Sequence, residues 1–334
     1  MAAFSRDLGI DLGTFNTQIA EGNQILAQEP TVVAIVINEM KLVEYGTTAL
    51  GMMGRVPETI EVVRPLRNGV IAEYELTEKF LSILIKKVTG PTLFFRPRIL
   101  ISVPYGITSV ERRAVQEAGL GAGGREVNWI PQPLAAAIGV DLPINTPTGN
   151  MIICVGGGTT QAAVISMTGI VSAETSPVAG LKLDDAIMAY VRKKYGLVIA
   201  QPTAELLKIR IGAALATEEE KTMEIQGQDQ VTGLPKPASL STNEIVEAMQ
   251  PPLQEIVATV KRVLEKTPPE LISDIIDRGV AMCGGTALMK GLDKYLTVAL
   301  GIPVYIVENP VTCTVEGAAK GFSILDLILR NQPG

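Results

Sequence analysis

Two thirteen-residue stretches of this chain carry the same few reactive groups in the same order. Residues 8 to 20, LGIDLGTFNTQIA, and residues 151 to 163, MIICVGGGTTQAA, each run from an apolar strand through a glycine turn to hydroxyl and amide residues and a second apolar strand. They align without a gap, setting Asp11 opposite Cys154, Gly13 opposite Gly156, Thr17 opposite Thr160 and Gln18 opposite Gln161. Glycine lets backbone N–H groups approach an anion with no Cβ in the way, so two such turns a domain apart predict a duplicated fold that holds phosphate oxygens from both sides. In the first turn, Gly13, Thr14, Asn16 and Thr17 suit phosphate anchoring, while Asp11 suits Mg²⁺ through water. Any tight hairpin uses similar residues. The repeat as Gly156, Gly157, Gly158, Thr159 and Thr160 favours a site, because three successive glycines exceed what a turn requires. The matched position differs in kind: hard Mg²⁺ takes the oxygen of Asp11 and not the sulfur of Cys154.

Two further segments bear on the same chemistry. MCGGTALMKGL (282 to 292) places Gly284 and Gly285 between an apolar strand and a helix, either as a plain strand-to-helix turn or as a backbone platform for an adenine or ribose. TAELLKIRIG (203 to 212) sets Glu205 and Lys208 three apart on one helix face. By spacing alone that pair is a solvated ion pair of little value.

The elements that must position these groups read as an α/β pattern. Strand signals fall at 8 to 12, 17 to 21, 31 to 37 and 99 to 103. One helix starts near Thr108, where Thr108 and Glu111 have capping-box spacing, and runs to the glycines at 119 and 121. Another follows Pro133 through LAAAIG, and a third, DDAIMAYVRKKYG, stops at Gly196. Residues 217 to 241 read as short hairpins or loops. A long helix then opens at a capping box of Ser241 and Glu244, with Pro251 and Pro252 expected to kink or restart it. DLPINTPTGN (141 to 150) is the linker after which the strand-turn-strand theme begins again.

Composition narrows the function. At 334 residues two lobes are expected, and 29 basic against 35 acidic residues exclude the basic footprint of a nucleic-acid binder. Histidine is absent, which removes Ser-His and Cys-His catalysis. Cys154, Cys283 and Cys313 are scattered without a CxxC, as in a reduced cytosolic protein. The start, MAAFSRDLGID, leaves too little before the first strand for a signal peptide. A mean hydropathy of +0.28 fits buried sheets and sticky surfaces. No run reaches the roughly 18 to 20 apolar residues of a membrane span.

In this order the motifs resemble the actin/Hsp70/sugar-kinase superfamily and, within it, the MreB-like bacterial actins. Beyond the glycine loops, the likeness includes RPLRNGVIAEYELTE (64 to 78), PRILISVPYGITSVERRAV (97 to 115), PLAAAIG (133 to 139), VTGLPK (231 to 236) and LEKTPPELISDIIDRG (264 to 279). The resemblance implies an actin-like ATPase fold of two duplicated ribonuclease-H-like lobes with inserted small subdomains. Lobe I would span 1–147, with an insert near 30–73 and the C-terminal helix 315–334 packed back on it. Lobe II would span 148–314, with an insert near 182–241. ATP or ADP with Mg²⁺ would sit between them, with Thr14, Phe15 and Asn16 on one side of the phosphates and Gly157, Gly158 and Thr159 on the other. Glu205 and Lys208 would border the adenine and ribose, and Gly285, Thr286, Ala287 and Leu288 would close the base pocket. Relatives have a third glycine where Thr286 stands, so a tighter contact is expected there.

Two departures fall near the attacking water. Where the family reads DIGGGTTE this chain reads CVGGGTTQ, and where the family reads IEEP it reads IPQP. Cys154, Gln161, Pro131 and Gln132 therefore replace acids. Gln132 could orient the water, but it lies one position late, a turn of about 100° on a helix. The expectation is slow hydrolysis, with a nucleotide-locked scaffold as the alternative. A sugar or acetate kinase would need an acceptor site that the sequence does not offer, and an Hsp70-like chaperone would need a further substrate domain. Leu93, Phe94 and Phe95, flanked by Lys86, Lys87, Arg96 and Arg98, form an apolar knot suited to an anionic lipid surface, where the family carries a membrane-insertion loop. The implied partners are copies of itself in double protofilaments, inner-membrane lipid and membrane proteins of cell shape and wall synthesis. The implied location is the cytoplasmic face of the membrane.

Overall fold

Apolar runs that are buried on both faces form sheet centres, and Asn150–Val155 is buried along its whole length. A computed structural model describes residues 6–90 and 96–331. It contains two five-stranded sheets. In the first, Asp7–Leu12 pairs antiparallel with Asn16–Glu21, which continues to Gln24–Pro30; on its other edge it lies parallel to Arg98–Val103 and then Glu126–Pro131. In the second, Asn150–Val155 pairs antiparallel with Thr160–Ser166, which continues to Gly169–Ser176; on its other edge lie Val280–Cys283 and Val304–Ile306, both parallel. The two sheets share one topology. Their hairpins also share a register, Asp11 facing Gln18 and Cys154 facing Gln161.

Two short helices, Gln132–Gly139 and Cys313–Lys320, cross between the sheets through small residues. A Cβ on Gly139 would lie 2.7 Å from the carbonyl carbon of Cys313, and one on Gly9 would lie 2.7 Å from the Cα of Ala319. The helix Cys313–Lys320 thus returns to the first sheet. Around it, Leu100, Ile130, Ala135, Ile152, Ala281 and Ala318 form a buried core fed by both sheets. Smaller three-stranded sheets occur at residues 33–63 and 197–241.

Local signals explain two helix starts. The Thr108 and Ser241 capping boxes both form. The helix ending at Tyr195 starts at Gly180, four residues before the expected Asp184. No side chain caps it; instead the N–H groups of Gly180 and Leu181 donate to the carbonyls of Gly156 and Gly157 at 3.1 and 2.8 Å. The glycine turn is itself the cap. The restart expected at Pro251 and Pro252 does not occur, since one helix runs Thr242–Glu265. Ile245, Met249, Leu253, Ile256, Val260 and Val263 are all fully buried across the prolines. Six such side chains, at about 1.5–3 kcal/mol each, outweigh the roughly 3 kcal/mol of an interior proline.

Candidate functional site

The two hairpin turns close in the same way. Gly13 N–H donates to Asn16 O at 3.1 Å and Gly156 N–H to Thr159 O at 2.9 Å. A threonine hydroxyl then secures each glycine carbonyl: Thr31 donates to Gly13 O and Thr286 to Gly156 O, both at 2.7 Å. The hydroxyl of Thr286 therefore fastens the second turn. The tips meet in direct contact. A Cβ on Gly157 would lie 2.5 Å from the Cβ of Phe15, and one on Gly158 would lie 2.7 Å from the Cβ of Thr14. Behind Phe15, the Arg64 guanidinium stacks 4.6 Å from the ring centroid.

Between the sheets lies a cavity of about 460 Å³, within the range of small-molecule sites. Gly13, Thr14, Phe15 and Asn16 line one wall, and Gly156, Gly157, Gly158 and Thr159 line the facing one. Glu205 and Lys208 border a third side, and Gly284, Gly285, Thr286 and Leu288 the fourth. Ala287 is fully buried behind that wall. Asp11 and Gln132 form the floor. Leu93, Phe94 and Phe95 lie outside the described residues.

The floor is a network of side chains. Asp11 Oδ1 accepts from Ser102 Oγ at 2.5 Å and from Gln132 Nε2 at 2.9 Å. Burial raises the Asp11 pKa and these two donors pull it back. Gln132 begins its helix directly after Pro131, so its carboxamide reaches the floor although the residue sits one position late. Cys154 holds the place in the second sheet that Asp11 holds in the first. Where Asp11 neighbours Ser102, Cys154 neighbours Cys283 in register, sulfurs 3.3 Å apart. All three cysteines are buried and unbridged.

Glu205 and Lys208 do not pair with each other. Lys208 Nζ lies 2.6 Å from Asp184 Oδ1 and donates to Gly180 O at 2.9 Å. Burial raises the Asp184 pKa, opposed by Lys208. The Glu205 carboxyl is also raised, by burial and then by the Asp184 charge. Sequence spacing missed Asp184, along with Ser102 and Gln18. Gln18 carried the one available signal, its match to Gln161. Of the four cations flanking 91–95, Lys87 pairs with Glu29 at 2.8 Å and Arg98 with Asp7 at 2.5 Å, so part of that charge is spent within the fold.

The MreB/Mbl protein family model matches residues 5–329. Cell shape-determining protein MreB of Escherichia coli (strain K12) is 44% identical over 331 residues, covering 97% of this chain and 95% of that protein. Cell shape-determining protein Mbl of Bacillus subtilis (strain 168) is 44% identical over 330 residues, covering 98% and 99%. Among solved structures, MreB5 of Spiroplasma citri bound to AMPPNP matches with a TM-score of 0.92 at 33% identity, covering 98% of this chain and 99% of that one. The MamK double helical filament matches with a TM-score of 0.77 at 19% identity over 95% and 98%, a likeness of fold. The architecture is thus the one the sequence resemblance implied.

Proposed function

This chain belongs to the MreB/Mbl family, and we propose on that premise that it binds ATP and ADP with Mg²⁺ between its sheets and assembles with its own copies into membrane-bound filaments that organise cell shape and wall synthesis. The observation that carries the reading is the approach of the two glycine turns, Gly157 to Phe15 and Gly158 to Thr14, beside a cavity of nucleotide size. MreB5 of Spiroplasma citri, 33% identical, is bound to AMPPNP in one structure and to ADP in another, which supports an adenine nucleotide here.

The floor fits a hydrated hard cation. Asp11 and Gln18 are cross-strand partners, and the buried Gln18 Oε1 has no hydrogen-bond partner among the described residues. Two oxygen acceptors side by side suit the waters of Mg²⁺. When bound, Mg²⁺ offsets the phosphate charge. Gly157 and Gly158 would present backbone N–H groups to the phosphates, Lys208 and Glu205 would flank the sugar, and the exposed Leu288 would cover the base. Gln132 is the polar side chain that stands on the cleft floor where the family carries its water-orienting acid, with its amide bonded to Asp11. With Pro131, Cys154 and Gln161 in place of acids, hydrolysis is slow. The same substitutions favour the second reading, a scaffold locked in one nucleotide state.

Calorimetry and pelleting with ATP, ADP and a non-hydrolysable analogue test both readings. The expected result is uptake of each nucleotide at millimolar Mg²⁺, with pelleting under ATP and the analogue and phosphate appearing slowly. Equal pelleting in all three states supports the scaffold, and no uptake of any adenine nucleotide sinks the proposal.

Among the described residues no helix is long and apolar enough to cross a membrane. The apolar residues Leu93, Phe94 and Phe95 with their basic flanks, where the family carries a membrane-insertion loop, support attachment at the cytoplasmic face, and copies would join by head-to-tail contacts that do not close into a ring. Phe94→Ser with Phe95→Ser should abolish co-sedimentation with anionic liposomes while pelleting with ATP persists. Unchanged liposome binding would refute that anchor.

A further inference from the structure

We infer that Gln161 is a positioning residue that holds the acceptor oxygen of Gln132 in one direction and thereby keeps that side chain from orienting a water at the terminal phosphate. The inference rests on the nucleotide reading above and adds to it the device that makes turnover slow.

The polarity of the network fixes the roles. The backbone N–H of Tyr105 donates to Gln161 Oε1 at 2.9 Å. A backbone N–H can only donate, so the Gln161 oxygen is held on that side and its NH₂ group is turned to the other. That NH₂ donates to Gln132 Oε1 and also lies 3.3 Å from Thr159 Oγ1. With its oxygen turned to Gln161, Gln132 donates from Nε2 to Asp11 Oδ1 at 2.9 Å. The carboxylate at the far end demands a donor, so both ends enforce one orientation. Gln161 is fully buried, leaving no solvent to reverse it.

A residue that orients an attacking water must accept a hydrogen bond from it, so that the water's lone pair faces phosphorus. In the hydrolysis the water oxygen bonds to the terminal phosphorus, the bridging P–O bond breaks with its electron pair left on ADP, and one proton passes to solvent. Gln132 has a single acceptor oxygen; Gln161 takes one of its two lone pairs and, with the Asp11 bond at the other end of the carboxamide, fixes the direction of the second, so the oxygen cannot swing to a water at the terminal phosphate. The bond also spans the two sheets: Gln161 stands on Thr160–Ser166, whereas Tyr105 and Gln132 follow Arg98–Val103 and Glu126–Pro131. A rotation of one sheet against the other would free the oxygen.

Gln161→Glu keeps the acceptor for Tyr105 and removes the donor to Gln132. Gln161→Met removes both. Each should raise single-turnover phosphate release at saturating Mg-ATP about tenfold, the worth of one hydrogen bond made in the transition state. The ATP dissociation constant should stay within about threefold of the unsubstituted chain, a change too small to explain a tenfold gain. Adding Gln132→Met to either variant should erase the gain. In nucleotide-free protein, Gln161→Met and Gln132→Met should lower the unfolding temperature by less together than the sum of their separate shifts, because both break one bond. Normal ATP affinity with unchanged release in the variants overturns the inference, as do additive unfolding shifts. If Gln161→Glu does not fold, Gln161→Met decides alone. Failure of the unsubstituted chain to bind ATP sinks the nucleotide reading and this inference with it, whereas normal binding with unchanged release sinks only the inference.

Discussion

Adding one carbon at Gly317 should cost the protein about 4 kcal/mol or more, a loss at the extreme of what single substitutions produce. In an exposed helix the same change would help, since alanine exceeds glycine by about 1 kcal/mol in helix propensity. Here the sign reverses. A Cβ on Gly317 would overlap the Ala135 carbonyl oxygen and lie 2.6 Å from its carbon and 2.7 Å from the Gly139 nitrogen, all of it backbone. No rotamer change relieves a clash with backbone, so the helices Gln132–Gly139 and Cys313–Lys320 must separate. Separation would open the core that both sheets feed. Gly139→Ala meets the Cys313 carbonyl in the same way. Because one shift of the helix pair relieves both clashes, the double variant should lose less than the sum of the two. Gly51, with nothing within 4 Å of its missing Cβ, is the control, and Gly51→Ala should be neutral or slightly stabilising. Urea unfolding midpoints measure all four proteins. Native stability in Gly317→Ala would show that the helices do not cross so closely.

That helix crossing was invisible in the sequence, while the hairpins that flank the cleft were plain. Residues 8 to 20 and 151 to 163 each encode strand, turn and strand within thirteen positions, so their fold follows from local pattern, and their ungapped match carries the shared register. The Thr108 capping box was equally local. What escaped depends on distant pairing. Cys154 and Cys283 look scattered because parallel strands 129 residues apart bring them together. Asp184 went unnoticed as the partner of Lys208 because its helix begins on the carbonyls of a glycine turn, which leaves no capping residue to read. The reach of Gln132 was legible in type but not in geometry. A one-residue offset predicts a side chain turned away, yet the break from strand to helix at Pro131 brings the carboxamide to Asp11.

At the cleft, Gly158→Val should weaken ATP binding about 100-fold, some 2.7 kcal/mol, without unfolding the chain. The space that valine needs belongs to Thr14, whose Cβ would stand 2.7 Å from the new Cβ and whose hydroxyl would be closer still. Thr14 cannot yield freely, because that hydroxyl accepts from the Gly69 N–H at 2.7 Å and the residue is 6% exposed. The two turns must part, and phosphate contacts from both sides depend on their spacing. The sheets are spared, since Val155 and Thr160 pair on either side of the turn and neither has to move. Gly156 provides the comparison within the same turn. Its missing Cβ meets only Thr159 O at 3.3 Å, a contact that a shift of a few tenths of an ångström relieves, so Gly156→Ala should bind ATP within about threefold of the native protein. Titration calorimetry with Mg-ATP measures the affinities, and thermal unfolding without nucleotide checks the fold. If occupancy of the cleft governs assembly, pelleting should fall in Gly158→Val and persist in Gly156→Ala. A Gly158→Val protein that binds ATP like the native chain would place the phosphates somewhere other than between these turns.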